Sequence, residues 1–185
     1  MSTVIAGLEK EHEKFRKFIA LFEAELDQLE REGSMNYELV ELLLDYFELF
    51  PDEWHHKKED VVYEMLVQRV GAEAGALYDL RREHDELARS VEVFIERIER
   101  MRSGSDMPAA MLLEHGRRYA SLLKAHMEKE EASFLPLAER RLNEIDWRAI
   151  EQEIANVIGP QRAQSGVGDK IARLEKDIAD LRCEA

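Results

Sequence analysis

The chain has 185 residues, 45% hydrophobic and 36% charged, which suits one apolar core beneath a charged surface. Its 26 Lys and Arg against 40 Asp and Glu leave a net charge of −14, which repels phosphate backbones and anionic lipid and speaks against nucleic acid and membranes as partners. Cys183 is the only cysteine, excluding an intramolecular disulfide. The N-terminus MSTVIAGLEKEHEK lacks a basic segment followed by an apolar run. No stretch nears the roughly 18 apolar residues of a membrane span, so the expected location is the cytoplasm.

Glycine and proline are scarce and apolar residues recur at helical spacing, the pattern of an all-α protein. A first helix is predicted from Thr3 to Arg31, with Ile5, Leu8, Phe15, Ile19, Phe22, Leu26 and Leu29 on one face. Gly33 and Ser34 end it. A second runs from Asn36 to Arg69, with a kink at Pro51 where a helix hydrogen bond is lost. Gly71 and Gly75 mark the next turn. A third spans Ala76 to Arg102, its stripe running from Leu77, Leu80 and Leu87 to Val91, Phe94, Ile98 and Met101. Residues Ser103 to Asp106 form a loop. Pro108 opens a fourth helix that reaches Leu142, disturbed near Pro136.

Four long amphipathic helices on short loops predict an up-down-up-down four-helix bundle over residues 1–142. Residues 143–185 form a short helical extension and tail. Within it Asp146 caps a helix over Trp147–Val157, Gly159-Pro160 breaks the chain, and Ser165–Gly168 is a linker. Asp169 then caps a last helix carrying Ile171, Leu174, Ile178 and Leu181. So short and narrow a stripe points to a docked or frayed tail, with a homodimer through this helix as the alternative.

Polar residues interrupt the stripes at matching places. His12 sits between Leu8 and Phe15, and His84 between Leu80 and Leu87. His55 and Glu59, like His126 and Glu130, are four apart and share a helix face. Glu11-His12 repeats as Glu83-His84 at an offset of 72, and His55…Glu59 repeats as His126…Glu130 at an offset of 71. Two αα-hairpins about a pseudo-twofold axis follow from this. Counting from the turns, His12 lies 21 residues before Gly33 and His55 lies 20 after Met35, so antiparallel helices place them at one height. The same count brings all six groups to one layer. Burying them together without partners costs several kcal/mol, roughly, and a pair of metal ions would compensate. Mixed imidazole and carboxylate donors suit iron, manganese or zinc.

Other candidates are weaker. His56 is expected at the surface or behind the ligands. His115 shares the face of His126 but lies about 16 Å away along the helix, too far to join the layer, and is expected as a core or cleft residue near Tyr119 and Tyr46. Tyr63 and Phe134 are expected to pack, and Asp60 and Glu131 to be surface residues.

These motifs resemble the hemerythrin-like, or HHE cation-binding, family. The likeness covers about Leu8 to Leu137 and is carried by Glu11-His12, His55-His56-Lys57-Lys58-Glu59-Asp60, Glu83-His84, and His126-Met127-Glu128-Lys129-Glu130-Glu131 before Phe134-Leu135-Pro136. It implies a non-haem di-iron centre with His12, His55, Glu59, His84, His126 and Glu130 as ligands and the carboxylates bridging. In the oxygen-carrying hemerythrins a second histidine follows four residues after the one on the third helix. Here that position is Ala88. The departure implies one fewer ligand on one ion and an open coordination position, and sets reversible oxygen carriage in doubt. The expected function is a cation-binding protein that binds or senses oxygen, nitric oxide, peroxide or iron status. Phe15, Leu87 and Leu122 are expected to line its pocket. An oxidase, peroxidase or ferroxidase, or an interaction module with a structural metal, are the alternatives.

Overall fold

The structure is a computed structural model describing residues 2–71, 79–104, 108–164 and 166–184. Among these it contains helices and no strand. The expected features at Gly75, Ala76, Leu77, Ser105, Asp106 and Ser165 lie outside the described residues, as does the side chain of Leu80.

Helix α1 (Thr3–Glu32) buries the stripe expected of it, from Ile5 to Leu29, with His12 in the middle. Ser2 caps its start by accepting from the Val4 N–H. Gly33 ends it in the left-handed region (φ 72°), its N–H donating to the Leu29 carbonyl at 2.9 Å.

The second helix is not simply kinked at Pro51. Helix α2 (Tyr37–Phe50) passes into a π turn over Pro51–His55 and then into α3 (His56–Val70). Pro51 has no N–H to give the preceding turn, and the chain widens so that the His56 N–H reaches the Pro51 carbonyl. Helix α4 (Asp79–Arg102) follows, then α5 (Ala109–Lys129). The disturbance expected near Pro136 is a second π turn, Glu130–Phe134, before α6 (Leu135–Arg141). An α-turn there would press the Pro136 ring on the Ala132 carbonyl, and the wider turn avoids it.

The extension departs further from expectation. Helix α7 is Glu144–Gln164, so Gly159-Pro160 does not break the chain. Its cap is Asn143 rather than Asp146. The Asn143 Oδ1 accepts from the N–H groups of Ile145 and Asp146, and the Asp146 carboxylate accepts from the Asn143 N–H at 3.0 Å. This is a reciprocal capping box with Asp146 as its third helical residue. The Asp146 carboxylate also accepts from Arg69 of α3, which explains how a carboxylate 1% exposed is tolerated. Helix α8 (Val167–Glu184) starts directly after Gly166 (φ 64°). Asp169 therefore lies in its first turn, not at its cap.

The core falls into two apolar clusters. One runs from Phe15, Phe22 and Phe47 to Phe94 and Tyr119, and includes Ile171, Leu174 and Ile178 of α8. The tail is thus docked, lying along α2. The other gathers Ile5, Leu8, Val62, Leu66 and Phe134 with Ile150 of α7, which lies on α3. The polar layer lies between them. Along α1, Leu8 belongs to one cluster, Phe15 to the other, and His12 separates them.

Candidate metal centre

Each of the six sequence candidates reaches the layer. His12 (0% exposed), His55 (2%), Glu59 (2%), His126 (4%) and Glu130 (0%) are buried. The His84 side chain is 12% exposed. The donors fall into two groups, within each of which the ligand atoms lie within 4.8 Å of one another. One consists of His12, His55, Glu59 and Glu130, the other of His56, Glu59, His84 and His126.

The carboxylates link the groups. Glu59 Oε1 lies 3.2 Å from His55 Nε2 and 3.8 Å from His12 Nε2. Its Oε2 lies 3.4 Å from His84 Nε2. Glu130 Oε2 lies 3.3 Å from His12 Nε2, while its Oε1 lies 3.2 Å from His126 Nε2 and 3.8 Å from His84 Nε2. Each carboxylate presents one oxygen to each group, the arrangement needed to bridge two cations. All four of these oxygens, with His84 Nε2 and His126 Nε2, are buried without a hydrogen-bond partner. Such atoms are costly unless something satisfies them, and cations bound among these imidazoles and carboxylates would do so.

His56 was expected away from the layer and is instead inside it. It is 7% exposed and stacks on His84, ring centroids 3.7 Å apart and planes at 11°. It also meets the His126 ring edge-on at 5.9 Å. The π turn ending at His55 explains this. Widening the turn after Phe50 rotates the chain so that two successive residues face inward. His55 faces one donor group and His56 the other. The second group thereby gathers three imidazoles despite Ala88, where the sequence led to expect two. The one trace of it in the sequence is the His55-His56 doublet, which begins four residues beyond Pro51 and does not by itself say which way His56 faces.

Carboxylates hold the outer nitrogens of three imidazoles. His55 Nδ1 pairs with Glu11 at 2.9 Å, and Glu11 is held by Lys58. His126 Nδ1 pairs with Glu83 at 3.0 Å, and Glu83 accepts from Lys129 at 2.5 Å. These two arrangements are related by the same offset as the repeat. His12 Nδ1 pairs with Glu131 at 3.0 Å, which also accepts from Arg16 at 2.5 Å. Glu131 is thus no mere surface group. Such contacts fix ring orientation and turn Nε2 inward, where its lone pair can bind a cation; His12 Nε2 and His55 Nε2 meet there at 3.0 Å.

The electrostatics follow from crowding. Burial pulls the His12 imidazolium down, but Glu130 and Glu59 outweigh it and hold its pKa up at about 10. His84 responds in the same way and is pushed up to about 9. Burial and the neighbouring Glu59 push the Glu130 carboxyl up, yet His12, His126 and His84 bring it down to about 2. Protons and metal ions therefore compete for the same nitrogens.

His115 is not part of the centre. It lies in a cleft of about 460 Å³ between α4 and α5, among Arg82, Arg89 and Arg118, with Nδ1 2.7 Å from the Met111 carbonyl. It is a cleft residue, one of the two places expected for it. Phe134 and Tyr63 pack in and against the second apolar cluster, as expected. Leu87 and Leu122 line a cavity that reaches His126, whereas Phe15 packs edge-on against the His55 ring at 5.3 Å.

No helix among the described residues is long and apolar enough to cross a membrane. The family model for the hemerythrin HHE cation-binding domain matches residues 3–138. Neither the curated proteins nor the solved structures yield a match.

Proposed function

Because the chain belongs to the hemerythrin HHE cation-binding domain family, we propose that it is a cytoplasmic non-haem di-iron protein. It binds or senses a small ligand such as oxygen, nitric oxide or peroxide, or responds to iron status. His12 and His55 would hold one ion and His56, His84 and His126 the other, with Glu59 and Glu130 between them. The observation that carries this reading is the division of each carboxylate's two oxygens between the two donor groups.

Bound iron would supply redox electrons and coordination positions for the ligand. The chain's own residues do the rest. Glu11, Glu83 and Glu131 orient imidazoles through their Nδ1 atoms. The apolar clusters on either side limit water at the layer. Counting Glu59 and Glu130 for both ions, the groups offer four and five donors, short of an octahedral complement in each case.

Elemental analysis of the purified protein, with optical spectra before and after exposure to oxygen, tests the proposal. The expected result is two irons per chain and an absorption band that changes with oxygen, nitric oxide or peroxide. Two tightly held metals inert to all three would instead support a structural metal in an interaction module. Sustained turnover of peroxide or ferrous iron would support the enzyme reading.

A further inference from the structure

The repeat relates two positions beside the centre, one on α1 and α2 next to His55, the other in a groove between α4 and α5 next to His126. They differ in what fills them. In the first, Trp54 stands immediately before His55 and Phe15 packs against the His55 ring. Trp54 and Phe15 belong to the same apolar cluster, and the Lys58 ammonium lies 5.8 Å over the Trp54 ring. Helix α8 then lies along α2, tied to α1 by Lys14–Glu175 at 2.6 Å. At the second position the repeat places Ala125 where the first has Trp54, and Leu87 where it has Phe15. The smaller side chains leave a cavity of about 250 Å³. Leu87, Leu122 and Ala125 form its apolar wall, and Glu83 and Lys129 its charged edge. Buried His126 lies at the inner end, and exposed Ala125 brings the cavity to the surface.

Resting on the di-iron reading, we infer that small ligands reach the centre from the α4–α5 side, through this cavity, and that Trp54, Phe15 and α8 close the pseudo-symmetric route. The walls suit a diatomic or triatomic ligand of low polarity or single charge. The Glu83–Lys129 pair, 2.5 Å apart, sits at the opening and also holds His126 through Glu83. Motion of that pair would couple ligand passage to the orientation of an imidazole in the layer. The asymmetry assigns α8 a role beyond stabilising the bundle, namely closing one of two related entrances.

Two measurements test the inference. The first needs no iron. In the full chain equilibrated with diamagnetic Zn(II), dissolved oxygen should enhance methyl relaxation at Leu87 and Leu122 above that of core methyls such as Leu43 and Leu26. Ala125→Trp should abolish the excess. Equal relaxation at all four leucines would overturn the inference. The second uses azide as a probe of the iron-loaded chain. Ala125→Trp should retain its metal yet slow azide association by about tenfold or more, whereas Trp54→Ala, which trims a side chain of the closed route, should not slow it. An unchanged rate in Ala125→Trp, or slower association in Trp54→Ala, would also overturn it. Failure of azide to bind any form, with oxygen relaxation still concentrated at Leu87 and Leu122, would count against the open coordination site and in favour of the portal.

Discussion

At the scale of single residues, what matters is which atom faces which. Glu59 and Glu130 each serve both donor groups, so removing either affects both ions. Glu59→Ala and Glu130→Ala should each lower metal content from two towards one or none, as read by elemental analysis. Two metals held with wild-type affinity in either variant would end that residue's claim to bridge. His56→Ala should lose metal to a competing chelator more readily than wild type, because it removes one of three imidazoles from the second group. His115→Ala should behave as wild type in the same titration, since it touches only the α4–α5 cleft. The raised pKa values of His12 and His84, about 10 and about 9, set a pH dependence. Their protonated forms stabilise the metal-free fold fully below the ordinary imidazole value of 6.5, and that contribution is lost as pH rises through 9 to 10. The metal-free protein should therefore melt lower at pH 10 than at pH 7. Metal-loaded protein should fall less over the same range, because the bound ions already require neutral imidazoles. Equal slopes for the two forms would refute this.

At the scale of elements, close approach and local widening place the helices. Gly116 of α5 faces α1 and α4 so tightly that an added Cβ would sit 2.8 Å from Leu26 Cδ1 and 2.9 Å from Phe94 Cε2. Its φ is ordinary, so the requirement is space and not backbone freedom. Gly116→Ala improves helix propensity by about 1 kcal/mol but meets overpacking of about 1–3 kcal/mol. The net expectation is a destabilised fold in denaturant titration, and a stabilised variant would show that Leu26 and Phe94 can move aside. The π turns act differently. They stand on opposite sides of the paired motifs, one ending at His55 and the other starting at Glu130. The structural repeat is therefore not exact, and the departure at the first turn accompanies the inward position of His56.

At the scale of the whole molecule, the extension belongs to the fold. Ile171, Leu174 and Ile178 are buried with the bundle's own residues. Burial of each such side chain contributes about 1.5–3 kcal/mol, so a chain ending at Gly166 should melt well below the full one. All candidate ligands precede α7, however, and the shortened chain should still take up the same number of metal ions while it is folded. Loss of metal from a chain that keeps its helical circular dichroism would show that α8 supports the centre directly. Metal should raise the melting temperature of either form, because a ligand that binds only the folded state stabilises it by mass action.

Helical periodicity and two repeated motifs were enough to read the bundle and to bring His12, His55, Glu59, His84, His126 and Glu130 to one height. Rise per residue is nearly constant along a helix, so sequence distance from a turn translates directly into position. Rotation about the helix axis is not so determined. It changes wherever one turn holds an extra residue, and only tertiary packing decides where that happens. For this reason the place of His56 in the layer became visible in the structure alone. The course of α7 through Gly159-Pro160 was hidden for a related reason, since local propensity is a weak signal that tertiary contacts override. The same holds for the docking of α8, whose narrow stripe fits a frayed tail, a dimer contact or a packed helix equally well until a groove along α2 is there to receive it.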